Sequence, residues 1–539
     1  MAPSRLTASF LHYPEPRQGP AVPYRNERKS NPAITGAWLF MAALLLEWLG
    51  FIRRIVWFNA GFASLRNIRH YIEDYEPRFD PTVVPIAPNL SRTEDKFDID
   101  AEKTASSVLP RKRYSVHDFH ELYKTGELTP TSVAEALLPL IRRDTSPPGE
   151  HSVGWFELRS DLILESARAS TERYKQGKPR GLLDGVPTAI KDEFDLEGYR
   201  SCIGSLNDYT GNSTPEHSIT SWCVKKLEDS GAIILGKLSM HEFGLDTSGN
   251  NPNYGTPLNP YNGGYYTAFY NVIAEPHSSS RFPSPSVGLA QNPRKILGIP
   301  EAWFSRADSE VQDVSRSLID RLVSEYNYHI VPIEIPFLVE GQIAHALTVL
   351  TDAATLLPQT GNLTAANRIL IALGTVTPST DFLLAQKLRQ LLMQHLAFLW
   401  SMHPGMIIIT PTTSCAGWPI GSEKELRYGI SDGDQTLKTM EYVWMANFTG
   451  LPALSVPAGF SVSKTSRSIA GENDSVEKDV PIGLMGMAEW GSETQLLQWG
   501  LEVEALDITR YHLPPTWVDT IAIAKQETPD TDTDGSDGD

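Results

Sequence analysis

Three stretches of this 539-residue chain hold residue types that could do chemistry. The first is VPTAIKD, residues 186–192, where an apolar, strand-like run ends on Lys191. A lysine with the ordinary pKa of about 10.4 is a poor base at neutral pH. Burial disfavours its charged form, and only then can it take a proton from a hydroxyl. Left in water, it is one more solvated lysine at a strand end. The second stretch is HSSSRFPS, residues 277–284, in which Ser279 precedes Arg281 by two positions. The third is DTDTDG, residues 530–535, whose alternating carboxylates match the opening of a calcium loop. That loop needs a bidentate glutamate further on and a helix on each side, and neither is present, so calcium binding is rejected.

The elements that must position these residues follow from periodicity. Residues 1–33 read as a loose arm rich in proline and charge, and 34–70 as an apolar helical segment. Residues 71–113 form an extended connector punctuated by proline. Two amphipathic helices follow, the second capped by Thr129 with Pro130 in its first turn and Val133, Leu137, Leu140 and Ile141 on one face. Beyond them, short apolar strands alternate with helices: VPTAIKD and AIILG, then KILGIP, HIVPIEIP and MIIITP. This alternation predicts an α/β architecture. The tail, residues 527–539, is acidic and lacks apolar side chains, so disorder is expected there.

Composition narrows the function. A formal net charge of −18 without a clustered basic face argues against nucleic acid as a partner. Three scattered cysteines, Cys202, Cys223 and Cys415, fit neither a disulfide framework nor a zinc site. No motif for a metal or a nucleotide cofactor is present, so none is expected. The amino terminus lacks the pattern of a secretory signal, which leaves the cytoplasm as the expected location. The run from Ala37 to Phe58 is the most apolar of the chain, interrupted by Glu47, Arg53 and Arg54. A buried helix pair broken at Gly50 is its first reading, and an anchor on a membrane surface through residues 37–58 is the second.

GLLDGVPTAIKDEFDLEGYRS at residues 181–201 and GAIILGKLSMHEFGLDTSGNNPNYGTPLNPYN at residues 231–262 together resemble the amidase signature family. KILGIPEAWFSRAD, EGQIAHALTVLTDA, IIITPTT and NFTGLPALSVPAGF resemble a fungal-type branch related to the A subunit of glutamyl-tRNA amidotransferase. The resemblance implies a mixed sheet flanked by helices, with residues 114–267 and 295–526 as its two parts. It also implies hydrolysis of carbon–nitrogen bonds in a small amide by a serine nucleophile, a bridging serine beside a cis peptide bond, and Lys191 as general base.

The serines are where this chain departs from the family. A glycine- and serine-rich turn should follow Thr267, and Ala268, Phe269 and Tyr270 stand there instead. Residues 268–294 read as a connector rich in proline and serine in place of the catalytic core. Ser279 can be laid on the nucleophile turn, but His277 and Ser278 carry a Cβ where that turn needs glycine. The expectation is therefore a chain with lost central strands, unpaired edges on VPTAIKD and AIILG, and no activity. A folded, non-catalytic binding protein is the alternative.

Overall fold

A computed structural model describes residues 10–25, 30–85, 114–210, 219–267, 295–357, 360–462, 479–506 and 513–527. The connector at 268–294 with Ser279, and the calcium-like stretch at 530–535, lie outside the described residues. The chain divides into two compact units. One holds the described residues between Leu109 and Pro260 and between Leu513 and Asp539, with Thr267; the other holds the rest.

The first unit carries a mixed sheet of β1 (Trp155–Glu157), β2 (Pro187–Lys191) and β3 (Ile233–Leu238) in the order β1-β3-β2. β1 runs antiparallel to β3, and β2 runs parallel to it. A parallel pair needs a crossover, and the helix Trp222–Asp229 lies within it. Helices Pro130–Ile141 and Ser160–Lys175 cover one face. Ile163 and Ala167, one turn apart, meet Ile233, Leu235 and Trp155 there. On the other face Ile190 packs with Leu196, Tyr199, Cys223 and Val224. The AIILG strand is thus central and paired on both sides, not the unpaired edge expected of it. Among the described residues β2 is an edge, as β3 alone pairs with it.

Local chemistry sets the helix ends. Thr129 accepts a hydrogen bond from the Ser132 N–H, the Ser132 hydroxyl answers the Thr129 N–H, and Pro130 occupies the first turn. Ser115 and Asp118 form the same reciprocal pair ahead of Val116–Thr125. The helix Thr520–Glu527, counted by sequence with residues 295–526, belongs to this first unit: its Ile521 and Ala524 pack on Tyr123, Leu128 and Val133.

The second unit has a five-stranded mixed sheet of β4 (Ile296–Ile299), β5 (His329–Pro332), β6 (Met406–Pro411), β7 (Ala453–Val462) and β8 (Asp479–Met487), ordered β7-β8-β6-β4-β5. β4 is parallel to both of its neighbours, while β6 and β7 are antiparallel to β8. All of MIIITP in β6 is buried, which is why that run shows no polar alternation. Long helices Leu338–Leu356 and Ser379–Met402 pack together, and the helix Ala365–Gly374 joins them to the amino-terminal helices Gly36–Trp48 and Gly50–Asn59. Only Leu39, Ala43, Leu46 and Trp57 of that amino-terminal pair are buried, so full burial of residues 37–58 does not occur.

Because its side chain satisfies an otherwise orphaned N–H, Thr129→Ala is expected to cost about 1 kcal/mol of stability, read as a lower denaturation midpoint at unchanged m-value.

Candidate active site

The position of Lys191 is fixed from the far end of its strand. Asp184, fully buried, accepts from the Ser170 hydroxyl at 2.7 Å, from Arg180 N–H at 2.8 Å and from Arg173 Nε at 2.8 Å. Gly185 and Gly231 lie beside it with φ of +78° and +88°, and their backbones bond at 2.9 Å from Gly185 N–H to Gly231 O. A Cβ on Gly231 would sit 2.4 Å from Asp184 Oδ1, so only glycine lets the two strands start this close together. The Ile233 N–H then bonds Val186 O at 2.9 Å, and after a one-residue shift of register between Thr188 and Ile190 the pairing ends with Lys191 opposite Leu238.

The strand ends are locked by a second buried carboxylate. Asp192 and Lys237 are both fully buried, with Nζ 2.8 Å from Oδ1. Asp192 also accepts from the N–H groups of Gly204 at 3.0 Å and Cys202 at 3.3 Å. Lys237 donates further to Arg200 O at 2.7 Å and Ser201 Oγ at 3.0 Å. Burial pushes the Asp192 carboxyl above its ordinary range, against the pull of Lys237 and the two amides. The loop that wraps this pair is strained, with Ile203 and Phe243 at φ of +52° and +56° and the Phe243 N–H bonded to Ile203 O at 2.9 Å. Asn251 ties the loop down, its Nδ2 donating to Gly204 O at 2.9 Å and Met240 O at 2.6 Å.

Lys191 itself stands apart from this closed network. Its side chain is 13% exposed and its Nζ lies 3.2 Å from Glu193 Oε1. Among the described residues no serine hydroxyl bonds to it. Cys202, Cys223 and Cys415 are buried free thiols, and burial is the first cause holding Cys202 and Cys415 above their ordinary range. The structure thus offers one partly accessible lysine and one sealed lysine at matching strand ends. Asp192 and Lys237 escaped the sequence reading, although a lysine inside the apolar run IILGKL is a signal in itself, since a fully buried lysine needs a partner.

Two outcomes follow from the buried carboxylates. Lys237→Met leaves Asp192 without its counter-charge and should cost about 3–5 kcal/mol, while Asp192→Asn combined with Lys237→Met should recover much of that loss in chemical denaturation. Burial works against the charge on Asp184, yet its bonds from Arg173, Arg180 and Ser170 overcome this and hold its pKa below the ordinary range. Its contribution to stability is therefore full above the unfolded value of about 3.9 and is lost as the pH falls through the lowered folded value. Asp184→Asn should reduce the melting temperature at neutral pH and flatten its fall in acid, measured by thermal scans across that window.

The sequence profile of the Amidase family matches residues 150–267 and 301–497. The chain is 25% identical, over 619 aligned positions, to a fatty acid amide hydrolase of Medicago truncatula, covering 93% of this chain and 97% of that one. It is 24% identical over 600 positions to a fatty acid amide hydrolase of Arabidopsis thaliana, covering 90% and 94%. The A subunit of the mitochondrial glutamyl-tRNA(Gln) amidotransferase of Ixodes scapularis is 41% identical over 97 residues, 18% of each chain. Among solved structures, an amidase superposes with a TM-score of 0.56 at 19% identity, covering 73% of this chain and 100% of the other. A bacterial aryl acylamidase of the amidase signature family gives 0.55 at 16%, covering 74% and 99%. These likenesses fix the fold as the α/β mixed-sheet arrangement of the amidase signature structures. With its profile matched over more than half of the sequence, the chain belongs to the amidase family.

Proposed function

We propose that this chain derives from a hydrolase of carbon–nitrogen amide bonds acting through two serines and a lysine, with Lys191 as the inherited general base, and that the chain itself no longer hydrolyses amides. The observation that carries this reading is the interruption of the family match, which stops at residue 267 and resumes at 301. The alignment to the Medicago truncatula relative supports it: its 619 positions exceed the 539 residues of this chain, so the relative carries residues with no counterpart here. After Thr267 the sequence continues Ala268, Phe269 and Tyr270, without the glycines that let backbone N–H groups close around an oxyanion.

The chemistry explains why one missing segment is enough. A serine hydroxyl attacks an amide carbonyl only as its proton departs, and the acceptor must lie within hydrogen-bond reach of it or of a bridging group. Lys191 Nζ is instead engaged by Glu193. The names of the plant relatives point to a fatty acid amide as the substrate class of the lineage. A second reading, a folded non-catalytic relative that binds a ligand or partner, is favoured by the cores of the two units: Ile233, Ile163 and Ala167 in one, Ile408, Leu388 and Trp400 in the other, are almost wholly buried. A cooperative melt supports it, and aggregation of the purified chain counts against it.

Hydrolysis of a fatty acid primary amide should stay at the level of buffer alone, and Lys191→Ala should change nothing. A turnover abolished by Lys191→Ala and by Ser279→Ala, but retained in Ser280→Ala, would overturn the proposal and make Ser279 a working nucleophile. Inserting the glycine- and serine-rich segment of a relative after Thr267 should raise amidase activity and melting temperature together. Activity regained at an unchanged melting temperature would show that the segment supplies chemistry without sheet structure.

A further inference from the structure

The helix pair Gly36–Trp48 and Gly50–Asn59 has two apolar sides and only one of them is covered. Its inward side is accounted for: Leu39, Ala43 and Leu46 are buried, and the first helix lies on Ala365–Gly374. Glu47, the single carboxylate between Ala37 and Phe58, is turned inward as well. It accepts from Arg368 Nε at 2.7 Å, and the Arg368 bonds hold its carboxyl below the ordinary range. Trp57 is buried and donates to Thr377 Oγ1 at 3.2 Å.

Among the described residues the outward side is covered only at its margins, by the Arg368 guanidinium 5.5 Å from the Phe40 ring and the Arg66 guanidinium 5.3 Å from the Phe58 ring. Trp38 is 72% and Trp48 82% exposed, and Phe40, Phe51, Ile55 and Phe58 are more than half exposed with them. Scattered exposed apolar residues are ordinary, but a run of this kind on one short segment marks an interaction surface. A helix that is apolar all round implies a non-aqueous neighbour on both sides. One neighbour here is protein. The other is too shallow to be a crossing: the first helix has 13 residues, about 20 Å at 1.5 Å per residue, against a hydrocarbon core of about 30 Å. No single described helix is long and apolar enough to cross a membrane.

Charge and aromatic placement choose between a bilayer and a second copy of the chain. The exposed side carries Arg54 and, with Glu47 turned away, no carboxylate. A two-fold contact would bring the same patch against itself, and nothing on it would answer Arg54. Anionic headgroups do answer it. Tryptophans near both ends of the first helix also suit the headgroup level, where an amphipathic ring has one side in water. The overall charge of −18 repels an anionic surface, but salt screens that repulsion beyond about 8 Å, so apolar contact decides the binding.

We propose that the exposed face of residues 37–58 is a membrane-surface docking site that seats the chain on a phospholipid bilayer, with Trp38 and Trp48 at the headgroup level and Arg54 against anionic headgroups. The proposal is independent of amide hydrolysis. It is tested by co-sedimentation of the full chain with phosphatidylcholine vesicles with and without phosphatidylserine. The intact chain should pellet with both, more strongly with phosphatidylserine. Trp38→Ser combined with Trp48→Ser should weaken pelleting about tenfold or more, since two large apolar side chains leave the bilayer. Arg54→Glu should weaken it about fivefold on the phosphatidylserine vesicles. Both variants alter exposed side chains, and their circular dichroism should match the parent. If the tryptophan variant fails to fold, Arg54→Glu and quenching of the intact chain's tryptophan fluorescence by brominated lipid decide the matter. Pelleting unchanged in both variants, or no pelleting and no quenching, overturns the proposal. So does a dimer in size-exclusion chromatography that the tryptophan variant abolishes while vesicles recover nothing.

Discussion

The contact on which the region around Lys191 depends is the ion pair of Asp192 and Lys237. Two unit charges have been removed from water, a cost of several kcal/mol each that only good geometry can offset. The geometry is good: Asp192 has an ammonium and two backbone N–H groups, and Lys237 has a carboxylate, a carbonyl and a hydroxyl. Satisfied in this way, the pair holds the loop of Ile203 and Gly204 in a conformation that a β-branched residue resists. It also fixes the carboxyl ends of β2 and β3, and with them Lys191.

This arrangement separates structure from chemistry at neighbouring positions. Lys237, sealed and saturated, can hold a loop but can reach no substrate. Lys191, one strand away and partly accessible, has the exposure a reacting group needs and has Glu193 as its neighbour. A lysine at a strand end is a scaffold for catalysis only when hydroxyls are brought to it, because the base, the bridge and the nucleophile act as one unit. The strand that bears Lys191 is an edge among the described residues, so its outer backbone groups are left to whatever lies next to it.

The second unit shows the same economy with apolar surface. Its sheet is buried through β4 and β6 and its long helices pack on one another, so the amino-terminal helix pair is added outside a core already complete. The pair is held by one side only. Glu47 and Arg368 fix its orientation, and that orientation decides which apolar side chains remain in contact with solvent.

The sequence alone determined what depends on neighbours along the chain. Thr129 ahead of Pro130 announces a helix start because the cap bond is made within three residues. MIIITP announces a buried strand because its four leading residues are apolar with no polar alternation. The order glycine, lysine, methionine, histidine, glutamate that begins at Gly236, the last residue of AIILG, announces the family, and the absence of glycine directly after Thr267 is legible in the same way, from residue types and their order. Tertiary structure alone decided which of two lysines is sealed, since the Asp192 partner of Lys237 lies at the end of another strand. It placed AIILG at the centre of its sheet, brought Ile521 and Ala524 back to Tyr123 and Val133, and turned Trp38 and Trp48 outward while Leu39 and Leu46 faced in. Each of these is a matter of burial, and burial is set by residues distant in the chain; periodicity can say that a helix is apolar, but only the packed neighbours decide which of its faces they cover.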